Sequence, residues 1–213
     1  MLAEFRDREA FLSKPPEQFR RGDILFVTRK RKLTAYRPKS WNPNTTPYEG
    51  FGAIDYAWPM ADSGDQKWQA WKIQMEKAVV HDSLLDPYED DGDVIAKIIY
   101  CGQGRVSTWI SSDHINYGVP HGYWDDYNLH WLLDKQREMT VDDVFKTESE
   151  WVKFVKDCCE ADVVNNGAVI EDEADRAFKY SMFEEFIQKP SNWTLDPSGL
   201  TINFSSESSP IAD

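Results

Sequence analysis

The chain has 213 residues, 41% of them apolar and 29% charged, which describes a globular protein and excludes wholesale disorder. At that length a core can stand without disulfides or a structural metal. The net charge of -13 divides unevenly: residues 1–40 carry +6 and the remainder carries -19, so the body repels nucleic acid and anionic membrane and either favours encounter with a basic partner or serves solubility alone.

The first 22 residues read as a short polar helix or arm, closed by Pro15 and Pro16. They contain no apolar signal-peptide region and the chain has no apolar run long enough to span a membrane. That leaves a cytosolic location or a targeting segment outside this sequence. "DILFVTRKRKLTAY" (23–36) predicts a hairpin with Arg29 to Lys32 at its turn or edge. The basic run fits an edge-strand gatekeeper better than a nucleic-acid patch. "SWNPNTTPYEGFG" is loop, and "AIDYAWPMA" is a short strand that Pro59 ends. A basic arm and hairpin over 1–50 and a domain over 51–213 are expected to form one continuous fold.

"SGDQKWQAWKIQMEKAVVHD" is helical. Trp68, Trp71, Met75, Ala78 and Val79 recur at spacings of three and four as one buried stripe, with Ser63 or Asp65 as cap. "DSLLDPYEDDGD" (82–93) reads as an acidic connection. It lacks calcium-loop spacing, so a solvated loop is expected. Strands over 94–101 and 105–117 are joined by "GQG", and "YWDDYNLHWLL" continues as a third strand with "DKQRE" as its turn. Thr140 caps the short helical "VDDVF". The helix over 148–163 turns Trp151, Phe154, Val155 and Cys158 inward, making Cys158 a buried apolar residue and no nucleophile. A second helix, 171–189, is acidic at its start and buries Phe178, Met182, Phe183 and Phe186. A hairpin follows across Pro197, Ser198 and Gly199. The pattern is α+β: a mainly antiparallel sheet packed by three or so helices.

Cys101, Cys158 and Cys159 include no CxxC pair and do not settle the redox compartment. Chemistry has one candidate region, where Asp113, His114, His121, Asp125, Asp126 and His130 fall within eighteen residues. It contains no HExxH and no tight ligand couplet, and strand alternation separates Asp113 from His114, so no metal or other cofactor is expected. No nucleophile elbow or phosphate loop occurs. His121, between Pro120 and Gly122, reads as a turn element rather than a base.

Residues 54–79, the stretch from Arg105 to Phe145 and the closing hairpin resemble, in order, the segments of the domain of unknown function 3298 family with its 4163-type N-terminal segment. Tyr117, Gly118, His121, Gly122, Asn128, Asp142, Asp143 and Phe145 fit its motifs, whereas Val119 and Pro120 replace a Gly-Ala pair. Of the family's closing loop only Pro210 remains. The family includes the sensing domain of a lysozyme-responsive anti-sigma factor and accessory domains of peptidoglycan deacetylases. The resemblance implies a non-catalytic, extracytoplasmic binding domain. With the acidic body and nine Trp, the expected partner is a basic protein, either a lysozyme-like hydrolase or a secreted toxin that this chain would inhibit. The expected contacts are Tyr123, Trp124, Glu89, Asp90, Asp91 and Pro210, with the negative field of 82–93 and 171–175 steering encounter. Tyr117, Gly118, His121 and Gly122 form the structural turn. The opposing expectation is a metal-dependent or acid-base hydrolase of cell-wall material built on the 113–130 cluster.

Overall fold

The computed structural model describes residues 16–37, 50–81, 85–116, 122–146, 150–165, 185–196 and 199–202. Its main element is a seven-stranded sheet: β1 (Gln18–Arg21), β2 (Ile24–Arg37), β3 (Gly50–Ala61), β4 (Asp90–Gly102), β5 (Arg105–Asn116), β6 (Tyr123–Leu132) and β7 (Arg137–Glu138), in that spatial order. Every neighbouring pair is antiparallel except β3 and β4. Between those two the chain runs through helix α1 (Gln66–Glu76) and a π-turn, Lys77–His81, the crossover that parallel strands require. A second α-helix, α2 (Trp151–Asn165), and a two-stranded hairpin, β8 (Trp193–Asp196) with β9 (Gly199–Ile202), follow. The fold is α+β with a mostly antiparallel sheet.

The stripe expected on α1 is the one buried. Trp68, Trp71 and Met75 face in, Ala78 and Val79 continue the face through the π-turn, and Asp65 is the cap, accepting from the Lys67 N–H at 3.1 Å. Trp68 and Trp71 meet edge to face at 5.5 Å, and Phe26 of β2 completes the cluster against both. The sheet face carrying Ile54, Tyr56, Val94, Ile110 and Leu129 forms the rest of this core. The Tyr127 hydroxyl donates to the Ala78 carbonyl at 2.9 Å and pins the crossover to β6.

Several local expectations are corrected. Gln18–Arg21 is a strand, and the first hairpin turns at Gly22, whose φ of 57° favours glycine, so of the two places expected for Arg29 to Lys32 the turn is corrected and the strand edge stands: they lie inside β2. They are exposed, on the side of β2 that β1 leaves uncovered after Val27. Pro59 lies within β3. The Thr28 N–H points away from it to the Glu17 carbonyl, so Thr28 and Pro59 form a pair that needs no hydrogen bond, and the missing N–H costs the β2 ladder nothing. Residues 90–93 belong to β4 and not to a loop. On α2, Val155 is buried with Trp151 half-buried, whereas Phe154 is 68% exposed and Cys158 is exposed, because the helix packs along a narrow ridge against Phe145 and Ile187. Cys101 and Cys158 are free thiols. Phe178, Met182 and Phe183 lie outside the described residues, and Phe186 is half-buried.

Candidate functional site

Register disperses the His/Asp stretch. Direct pairs put Asp113 beside Trp124, Asp126 beside Ser111 and His130 beside Ser107 on one face of the sheet, and strand alternation turns His114 and Asp125 to the other. Asp126 and His130 share a face but stand four residues, about 13 Å, apart along β6. Among the described residues no three His, Cys, Asp or Glu side chains converge as metal ligands. Tyr117, Gly118 and His121 lie outside the described residues, as does Pro210, while Gly122 is exposed beside β6.

One pair has the look of a nucleophile and its base. His130 Nδ1 and the Ser107 hydroxyl oxygen are 2.8 Å apart. The third partner decides the matter: His130 Nε2 is 2.8 Å from the carbonyl oxygen of Trp193, which can only accept. The neutral ring therefore carries its proton on Nε2, and Nδ1 accepts from Ser107. Among the described residues no carboxylate orients the ring. Ser107 is 0% and His130 3% exposed, so neither meets a substrate. Burial holds the imidazole down to a pKa of about 4, with the Arg105 charge adding to the effect and the carbonyls of Trp193 and Pro190 opposing it. This is a clamp. It fastens the β8–β9 hairpin to the sheet, and Arg105 reinforces it by donating to the Leu195 carbonyl at 3.1 Å.

The "VDDVF" phrase is structural as well. Asp143 accepts from the Thr140 N–H at 2.9 Å and from both Nη atoms of Arg137, at 2.7 and 2.8 Å. Those bonds, that to Arg137 foremost, hold its carboxyl well below the usual range. Phe145 stacks on Trp151 at 4.3 Å, and Trp193 meets both rings edge-on. Asn128 is buried and Asp142 exposed.

The acidic residues singled out from sequence divide. Glu89 is exposed. Asp90 is buried, its carboxylate accepting from the Asp86 N–H at 3.0 Å. Asp91 pairs with Arg37 at 3.2 Å and also accepts from the Ala53 N–H. Arg37, 2% exposed, donates in addition to the Asp90 carbonyl at 2.7 Å, tying the end of β2 to the start of β4. It lies over Gly52, where a Cβ would collide with its guanidinium and with the Pro87 carbonyl. Trp124 is half-buried, its indole donating to Ser111 Oγ at 2.8 Å, and Tyr123 pairs through its backbone with His114.

Beside Trp124 lies a feature that sequence reading missed. Lys32, Asp55, Asp93, Asp113 and Trp124 are direct partners in four successive ladders, forming one row across five strands. Direct cross-strand partners point to the same face. All three aspartates are exposed, and Lys32 reaches Asp55 at 3.0 Å. No Lys or Arg among the described residues pairs with Asp93 or Asp113. On the same face Asp91 adjoins Ile115, 58% exposed, and further along Tyr36 lies against Phe51, 73% exposed, with ring centroids 5.4 Å apart. Carboxylates and apolar side chains thus share one solvent-facing surface, with no ordered nucleophile or metal cradle among its described residues.

No family model matches this sequence, and no curated protein matches it. Solved structures do. A DUF3298 family protein from Pseudomonas aeruginosa superposes with a TM-score of 0.54 at 13% identity, covering 83% of this chain and 81% of that one. A DUF3298 family member from Bacteroides fragilis gives 0.49 at 16% identity, covering 87% and 92%. At these identities the likeness is one of fold, and the second score adds no weight to it. This chain has the fold seen in the Pseudomonas aeruginosa DUF3298 protein, as the sequence motifs implied.

Proposed function

We propose that this chain is a non-catalytic protein-binding domain that takes a basic protein on the open face of its sheet. One observation supports this reading above the rest: Asp93 and Asp113 stand directly opposite each other, and no Lys or Arg among the described residues pairs with either. Like charges in that position destabilise a sheet, so a sequence keeps them where something outside the fold uses them. The flanking apolar side chains Ile115, Phe51 and Tyr36 supply buried contact once a partner covers them. A lysozyme-like cell-wall hydrolase or a secreted toxin has the required sign of charge, and binding there would inhibit it. Such a partner puts the domain in an extracytoplasmic setting. Among the described residues no helix is long and apolar enough to cross a membrane. Among the described residues the hydrolase reading has no observation in its favour, since the Ser107–His130 pair is buried and Asp113, His114, Asp125 and Asp126 do not converge.

The test is kinetic. The full chain is immobilised and exposed to a basic lysozyme and to an acidic protein of similar size. Association with the lysozyme is expected to slow as the Debye length shrinks from about 10 Å at 0.1 M salt to about 3 Å at 1 M. The variant Asp93→Asn/Asp113→Asn should slow it in the same way. Equal binding of the acidic protein, or indifference to the double substitution, removes this reading.

A further inference from the structure

The row has a pitch as well as a charge. Neighbouring strands lie about 4.8 Å apart, so Asp55, Asp93 and Asp113 fall along a line of about 10 Å running across the strands. A partner strand presents same-side residues about every 6.8 Å, so three of them cover about 13.5 Å and overshoot the row by nearly a strand spacing. A helix rises about 1.5 Å per residue, so positions i, i+4 and i+7 share one face over about 10.5 Å, which matches.

The geometry points to an α-helix of the basic partner, laid across β3, β4 and β5, with Lys or Arg at i, i+4 and i+7 opposite Asp113, Asp93 and Asp55. This inference rests on the open face being the site for a basic partner. The ends of the row set what flanks the three cations. Lys32, in register with Asp55, repels a further cation beyond i+7. Trp124, in register with Asp113 and half-buried, meets an apolar residue one turn before i. One step along the strands, Ile115 gives the flank of that helix an apolar contact.

Two synthetic peptides of about 20 residues and identical composition, mostly alanine so that the first is helical, test this. One carries Leu, Arg, Arg and Arg at i-4, i, i+4 and i+7. The other places the same residues at alternate positions, as a strand would present them. Affinity for the full chain is read by fluorescence anisotropy at about 0.05 M salt, where surface charge is least screened. The helical peptide is expected to bind at least tenfold more tightly, and Asp93→Asn/Asp113→Asn should erase that preference. Glu76→Gln, an exposed change on α1, should leave it intact. Equal affinities that both fall in the double variant overturn the helix while sparing the basic-partner reading. Affinities that ignore the double variant, or no binding by either peptide, overturn both.

Discussion

The two faces of the main sheet are built by different rules. One is closed by α1 and holds the Trp68, Trp71 and Met75 stripe against Ile54, Tyr56, Val94 and Leu129. There each residue is explained by burial. The other face is divided. Its far end is closed by the β8–β9 hairpin over His130 and Ser107, and its near end stays open with Asp55, Asp93 and Asp113 in line. At the open end burial explains nothing, and local charge runs against stability. Where a fold tolerates its own repulsion, a partner is the reason to look for.

Breaking the closed face should have the largest effect. Trp71 is fully buried, so Trp71→Ala should destabilise the domain by about 3–5 kcal/mol, seen as a lower denaturation midpoint. Phe154, expected to face the same way as Val155 but exposed, sharpens the contrast. Phe154→Ser should change stability by less than about 0.5 kcal/mol, as surface substitutions do.

The closed end of the second face should respond to pH. The His130 pKa is depressed from 6.5 to about 4 by burial. Above about pH 6.5 the imidazole is neutral folded or unfolded, and the clamp contributes fully. As pH falls from there toward 4, the unfolded chain takes up a proton that the folded chain refuses. Stability is then lost, by about 3 kcal/mol at most for a shift of this order. His130→Leu should lower stability at neutral pH and flatten its slope between about pH 6.5 and 5, where few carboxylates titrate. An unchanged slope would mean that His130 is not the group responsible.

How much of this could be read from sequence follows the same divide. The α1 stripe was legible because a helix announces its face by spacing within one segment. Strand membership was mostly legible too, though the charges of Arg29 to Lys32 resembled a turn when they in fact line an exposed strand. Pro59 resembled a terminus because its N–H is missing, and only the pairing with Thr28 shows that nothing there needed it. On α2, Phe154 and Val155 fitted the inward face equally well by spacing, and only the partners Phe145 and Ile187 choose between them. His130 and Ser107 are 23 residues apart and their carbonyl partner lies 63 residues further on, so no local pattern contains the clamp. The aspartate row is the extreme case. Asp55, Asp93 and Asp113 come from three strands, and their alignment depends on register, which alternation alone does not specify.

A small expected gain in stability bears most directly on the comparison. Asp93→Asn removes one of two like charges that face each other across β4 and β5, keeps the side chain's shape, and breaks no ion pair among the described residues. Opposed like charges cost a sheet a few tenths of a kcal/mol to about 1 kcal/mol, so the variant should be more stable than the parent by that amount. The gain should shrink at high salt, where exposed charges are screened. Asp55→Asn is the control: it also neutralises an exposed aspartate of the row, but it removes the partner of Lys32 and should give no such gain. If Asp93→Asn stabilises the free domain and weakens its hold on a basic protein, the open face keeps its charge for binding at the expense of stability. If Asp93→Asn destabilises, the row is an ordinary part of the fold, and the two faces obey one rule after all.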